Sequence, residues 1–141
     1  IEKATELGVA SIVPVRTART EKERLRMDRM QQIAISAMLQ SQQVWLPFIP
    51  EPMSFAELIV SWKQQPLQRL IAHCVSTDRH SLGSYELSAE VGLLIGPEGD
   101  FTSEEIELAR NAGFAEVQLG DTRLRTETAG VVGASLLRLR S

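Results

Sequence analysis

Two rhythms of apolar and polar positions run through this chain. Between about Glu21 and Gln40, Met30, Ile33, Ala34, Ala37 and Met38 recur at the spacing of one helical face, which predicts a long amphipathic helix. Leu70–Val75 and Val91–Ile95 are instead unbroken apolar runs of strand length, each bounded by turn residues. Shorter strands are predicted at Ser11–Val15, where Pro14 points to an edge or strand end, and at Glu116–Leu119. Helix ends are marked locally. Gly8 stops a helix over Ile1–Leu7, and Ser54 with Glu57 makes a capping box for a short helix ending near Trp62. Thr102 with Glu105 makes a second box for a helix closed by Gly113, and a final helix spans Thr126–Leu139. Pro47, Pro50 and Pro52 mark a loop, and the polar stretch between the two apolar runs reads as an exposed one. Strands alternating with helices predict an α/β sandwich with a mainly parallel sheet.

Composition narrows the class. The 141 residues suit one domain with a single substantial core, and a 43% hydrophobic share excludes a disordered chain. No apolar run is long enough to span a bilayer as a helix, and the opening Ile1-Glu2-Lys3 is not a secretory signal. The chain starts without Met inside a predicted helix, so a fragment with an upstream part is expected. Cys74 is the only cysteine, which leaves no internal disulfide and no cysteine-based zinc site. It reads as a small buried hydrophobe in a strand, in keeping with a cytoplasmic setting and no metal. The net charge of −3 weighs against a whole-surface nucleic-acid binder while leaving room for a local basic face.

The stretch "LLIGPEGDFTSEEIELA", Leu93 to Ala109, carries the first candidate chemistry. Gly96-Pro97-Glu98-Gly99 lies between a strand and a capped helix, at the end of a parallel sheet where ligands bind. Its glycines allow unusual backbone angles and a close approach of ligand to main chain, and Pro97 stiffens the turn. It is no phosphate cradle: it lacks a lysine and both glycine-rich phosphate patterns, and Glu98 and Asp100 repel phosphate oxygens. A flat ligand, neutral or cationic beside the carboxylates, fits better, and S-adenosylmethionine is one. A tight structural turn ahead of an acidic helix start is an equally good reading of this stretch alone.

A second stretch, "LGDTRLRTETAGVVGA" from Leu119 to Ala134, again runs from a strand end into a helix. Thr126 is a candidate cap, and Glu127 sits well at the positive helix end. Arg125 does not, so an anion is expected near it: Glu127, Glu98 or a substrate. Gly130 and Gly133 each cost roughly 1 kcal/mol inside a helix. With Ala129 and Ala134 they make a face that admits a partner helix or a threaded loop.

Together, "LLIGPEG" at Leu93–Gly99 and the "LG…LRTETA" of Leu119-Gly120 and Leu124–Ala129 resemble the ribosomal RNA small-subunit methyltransferase E family of the SPOUT superfamily. The likeness extends to "EKATELGV" at Glu2–Val9, to Arg19, to "IAISAMLQS" at Ile33–Ser41 and to His73, so it covers nearly the whole chain. It implies a SPOUT domain over residues 1–141 with a C-terminal deep trefoil knot, without the small PUA-like RNA-binding domain that precedes it in the family. It implies methylation of N3 of a uridine in 16S rRNA by a homodimer, with S-adenosylmethionine as cofactor. The implied cofactor walls are Gly96, Glu98 and Gly99, then Leu119 and Gly120, then Leu124, Arg125 and Thr126. The chain departs from the family pattern at Asp100, where a second glycine is usual after the turn, and at Leu39, Gln43 and Ala18 on the presumed substrate side.

Methylation at N3 needs loss of an imide proton and stabilisation of charge on the flanking carbonyls. Arg125 is the candidate cation, and Glu127 or Glu98 the candidate base or the group that orients it. His73 reads as a satisfied strand histidine. The target base must be unpaired or flipped out. Arg16, Arg19 and Gln40 are the implied RNA contacts, within a basic run of Arg16, Arg19, Lys22, Arg24, Arg26 and Arg29 that is otherwise an ordinary solvated face. Competing readings are a SPOUT enzyme acting on another RNA base, and a non-catalytic RNA- or ribosome-binding module with the same fold.

Overall fold

The structure, a computed structural model, describes residues 1–20, 24–75 and 79–141. In chain order its elements are α1 (Glu2–Glu6), β1 (Val15–Arg16), α2 (Met27–Ser41), β2 (Met53–Ser54), α3 (Phe55–Lys63), β3 (Gln68–Ala72), β4 (His80–Ser81), β5 (Val91–Ile95), α4 (Ser103–Asn111), β6 (Ala115–Gln118) and α5 (Thr126–Arg140), with a 3-10 turn at Leu82–Ser84. Among the described residues, the main sheet has four strands in the order β4-β6-β3-β5, and β1 and β2 form a separate pair. Every pairing is parallel. The expected α/β sandwich with parallel sheets is therefore what the chain adopts.

Side-chain alternation along β3 builds the two layers. Ile71 points into a cluster with Phe55, Leu58, Ile59, Leu94, Phe101, Ile106 and Phe114, which seats α3 and α4 on one face. Leu70 points the other way, onto Val117 and Leu82, with Leu136 and Leu137 of α5 packed against them. Both capping boxes form: Ser54 and Thr102 each accept from the backbone N–H three residues on, and Glu57 and Glu105 return the bond. Gly8 and Gly113, just beyond their helices, take φ of +76° and +85°, as left-handed helix stops require. No helix of the described residues is long and apolar enough to cross a membrane.

Several boundaries differ from expectation for local reasons. The strand predicted at Ser11–Val15 reduces to Val15–Arg16, with Ser11 making one isolated bridge to Phe48; Pro14 has no N–H for a ladder and offers only its carbonyl, to Met53 N–H at 3.1 Å. The long helix starts at Met27 rather than near Glu21, with Arg26 as an N-cap whose side chain pairs with Asp28 at 3.0 Å and caps no backbone N–H; Glu21, Lys22 and Glu23 lie outside the described residues. The strand expected over Leu70–Val75 ends at Ala72, so Cys74 is exposed beyond it and is not the buried strand residue expected. The loop expected to be exposed contains β4 and a fully buried Leu82. Thr126 does not cap α5: Arg125 holds that position, and the Thr126 hydroxyl points elsewhere.

Gly92 of β5 shows how tightly the first layer is filled. A Cβ there would lie 2.4 Å from Cζ3 of Trp62, whose ring stacks on Phe114 with centroids 6.1 Å apart and planes 5° from parallel. The indole is held between the strand and another ring and cannot simply swing away. Gly92→Ala is expected to lower unfolding free energy by about 1–3 kcal/mol through overpacking. Denaturant titration checks this, and an unchanged midpoint would show that Trp62 yields.

Candidate functional site

Because β5, β3 and β6 are parallel neighbours, their carboxyl ends open on the same edge of the sheet. A cleft lies there. Its walls include His73 and Cys74 after β3, Gly96, Pro97, Glu98 and Asp100 after β5, and Leu119, Gly120, Leu124 and Thr126 after β6. Ile95 and Ala129 extend its apolar side.

The turn after β5 is fixed from outside by groups distant in sequence. The Thr126 hydroxyl donates to the Gly96 carbonyl at 2.9 Å, and Arg123 Nη2 donates to the Glu98 carbonyl at 3.2 Å. Arg19 Nη1 donates to the Gly99 carbonyl at 2.6 Å. Three carbonyls of the turn are thereby satisfied from outside it, and the fourth, of Pro97, accepts from the Asp100 N–H at 2.9 Å. Gly96 and Gly99 do not have positive φ, contrary to the expectation of unusual backbone angles; what they provide is space. A Cβ on Gly96 would meet the Phe101 ring at 3.2 Å, and one on Gly99 would meet Arg19 Cδ at 3.0 Å. The left-handed residue is Asp100, φ +63°, at the position where the motif resemblance led to an expectation of glycine.

Of the residues singled out in the sequence, Gly96, Glu98, Leu119, Gly120, Leu124 and Thr126 share the cleft. Gly99 stands just behind it against Arg19. Arg125 and Glu127 are exposed at the start of α5, outside the cleft walls. Neither Glu98 nor Glu127 pairs with Arg125 among the described residues, so neither of the two expected carboxylate partners is found beside this exposed guanidinium. Arg16 is occupied with the Pro52 carbonyl at 3.0 Å, and Gln40 lines a separate groove between α1 and α2. Gly133 is buried, and a Cβ there would strike Leu93 Cδ2 at 2.6 Å, so this glycine seats α5 on β5; Gly130 faces open space. Sequence reasoning set the Asp100 carboxylate beside the ligand turn but did not place Cys74, Arg79 or Arg123 at the cleft; only the two arginines flanking Leu124 hinted at the last.

His73, beside the cleft, has both ring nitrogens engaged. The Val75 N–H donates to Nδ1 at 3.2 Å, which leaves Nε2 to donate to Glu116 Oε1 at 2.9 Å. With no free nitrogen, it is a structural histidine rather than a base. Glu116 also accepts from Arg110 Nε and Nη2, at 3.2 and 3.0 Å. No group of three or more possible metal ligands occurs among the described residues.

A family model for an RNA methyltransferase domain matches residues 1–138. The chain belongs to this RNA methyltransferase family. It is 35% identical to the ribosomal RNA small subunit methyltransferase E of Synechocystis over 94% of its own length and 45% of the relative's. A probable rRNA-methyltransferase from Porphyromonas gingivalis superposes with a TM-score of 0.89 at 38% identity, over 99% of this chain and 59% of that one. The small subunit methyltransferase E of Neisseria gonorrhoeae, solved bound to S-adenosylmethionine, superposes at 0.82 with 32% identity, over 98% and 58%. The methyltransferase E family resemblance read in the motifs is thus met across the chain, which spans about half the length of these relatives.

The Arg110 guanidinium holds the Glu116 carboxyl below its ordinary value of 4.5, against the opposing effect of burial and with a smaller contribution from His73. A carboxyl depressed in the folded state contributes stability above the unfolded value and loses it as pH falls through the folded one. Glu116→Gln is therefore expected to melt below the parent at neutral pH, with the gap closing as pH falls below about 4.5. A gap that stays constant down to pH 3 would remove Glu116 as its source; thermal melts across that range decide.

Proposed function

We propose that this domain methylates N3 of a uridine in 16S ribosomal RNA with S-adenosylmethionine as donor. The observation that carries the reading is the cleft itself, where two loops far apart in sequence are joined by the Thr126–Gly96 hydrogen bond. Family membership and the S-adenosylmethionine-bound Neisseria relative support it.

The residues present suit such a donor. Ile95, Leu119, Leu124 and Ala129 offer apolar surface to a flat ring, and Gly120 has open space where a Cβ would project. Glu98, exposed at the cleft, is a carboxylate matched to a cationic group. The two cleft arginines, Arg79 and Arg123, each spend one donor on a carbonyl of the cleft wall, of His73 and of Glu98. Gly96, Glu98, Leu119, Gly120, Leu124 and Thr126 are assigned to holding the cofactor, with Gly99 and Arg125 contributing from outside the cleft walls. When bound, S-adenosylmethionine supplies an electrophilic methyl group on a sulfonium.

The chain's own residues supply the rest. Arg125, unpaired among the described residues at the mouth of α5, stabilises negative charge on the uracil carbonyls as the N3 proton leaves. Glu98 lies in the cleft and Glu127 outside it, which favours Glu98 as the proton acceptor. Arg19, through its contact with Gly99, brings a cation to the edge of the cleft where an RNA backbone would pass, whereas Arg16 and Gln40, the other residues assigned to RNA, lie at the Pro52 carbonyl and in the groove between α1 and α2. The C-terminal trefoil knot and a homodimer complete the reading. For the second, α5 leaves Gly130 open and Val131 37% exposed, a small apolar face that a second copy can cover.

The decisive test is calorimetric titration of the chain with S-adenosylmethionine, beside Gly96→Val and with ATP as control. Saturable binding, lost in the variant and absent with ATP, is expected, because any Cβ at Gly96 presses on Phe101. No binding by a folded sample would sink the assignment. Incubation with small ribosomal subunits and mass analysis of nucleosides then separates N3-methyluridine from another methylated base or none. In sedimentation equilibrium the expected mass is twice that of the chain, reduced to one by Gly130→Leu; a parent already monomeric at micromolar concentration overturns the dimer.

A further inference from the structure

We propose that Asp100 is a positioning residue of the cofactor cleft, whose carboxylate locks the end of β3 to the Gly96–Gly99 turn. The inference rests on the cofactor reading above. Its Oδ2 accepts the Cys74 backbone N–H at 2.7 Å, across 26 residues of sequence, while Oδ1 accepts the Phe101 N–H at 2.8 Å. The same Oδ1 lies 3.3 Å from where a Gly96 Cβ would be, so the carboxylate fills the space left by that glycine. The Asp100 N–H closes the turn on the Pro97 carbonyl at 2.9 Å.

Two features separate this from ordinary turn chemistry. Aspartate tolerates the left-handed backbone through bonds to its immediate neighbours, and the Phe101 contact is one of these. The Cys74 contact is not. It joins the opposite wall of the cleft, at the point where β3 has left the ladder after Ala72 and Cys74 N–H has no strand partner. Next to it, His73 is fixed from the other side by Glu116 of β6. The segment after β3 is thus pinned between its two sheet neighbours, and Asp100 supplies the pin on the β5 side. Glycine would satisfy the backbone at least as well but would release the exposed Cys74 amide to solvent and untie the two loops.

Asp100→Gly keeps the backbone conformation and removes the carboxylate, whereas Asp100→Asn keeps one oxygen for the Cys74 amide. In Asp100→Gly, Cys74 amide hydrogen exchange in the ligand-free chain is expected to accelerate, and S-adenosylmethionine affinity to fall about tenfold, the scale of one charge-assisted hydrogen bond. In methylation assays the KM for S-adenosylmethionine should rise correspondingly while the rate at saturation changes less than about twofold. Asp100→Asn should recover most of both. Thermal melts of each variant establish that it is folded. A parent that binds and an Asp100→Gly variant that binds equally well overturn the positioning role alone. Unchanged Cys74 exchange in Asp100→Gly overturns the tie, and a parent that does not bind overturns both this inference and the cofactor reading.

Discussion

The central strand β3 is buried on both faces and paired on both edges, and the rest of the molecule is arranged around that condition. Leu70 and Ile71, adjacent and both fully buried, commit one residue to each layer, so a helix must cover each side. Parallel pairing then requires crossover connections: the chain passes from β3 to β5 through β4 and the 3-10 turn, and α4 carries it from β5 across to β6 on the other side of β3. The same parallel order brings three strand ends to one edge, and a cleft at that edge follows from the sheet before any particular residue in it is considered.

What the sequence made legible is what short-range chemistry decides. Ser54 with Glu57 and Thr102 with Glu105 form their boxes because each pair needs only one helical turn to meet. Val91–Ile95 was readable to the residue, since a run of apolar residues between turns has no competing use. His80–Ser81 was not, because two polar exposed residues become a strand only through pairing with Val117 and Gln118. Cys74 misled for a related reason: its type favours burial, yet the strand before it stops where side chains replace ladder partners.

The site divides along the same line. The glycine turn and the segment from Leu119 to Thr126 could be recognised as motifs, and the structure brings them to one cleft. How they hold one another was not visible. Thr126 has the residue type of a helix cap and the geometry of a cross-loop donor, a choice that depends on Gly96 being near. Arg19 could be placed on the RNA side by resemblance, whereas its bond to Gly99 spans 80 residues and has no sequence signature. Asp100, a departure from the family pattern, turns out to occupy the one position of the turn where the backbone is left-handed.

The four contacts that fix the turn span 80, 26, 25 and 30 residues. Contacts of such range are paid for in loop-closure entropy before they return anything, and none of them can form from local chain alone. The helices can nucleate on their own caps, but the cleft exists only once the chain has been traversed to Thr126 and the sheet has closed behind it. A ligand seated there recognises the finished topology and nothing earlier. The binding free energy of any such ligand is added wholly to the native state, so a molecule that fills the cleft also prolongs the life of the folded domain.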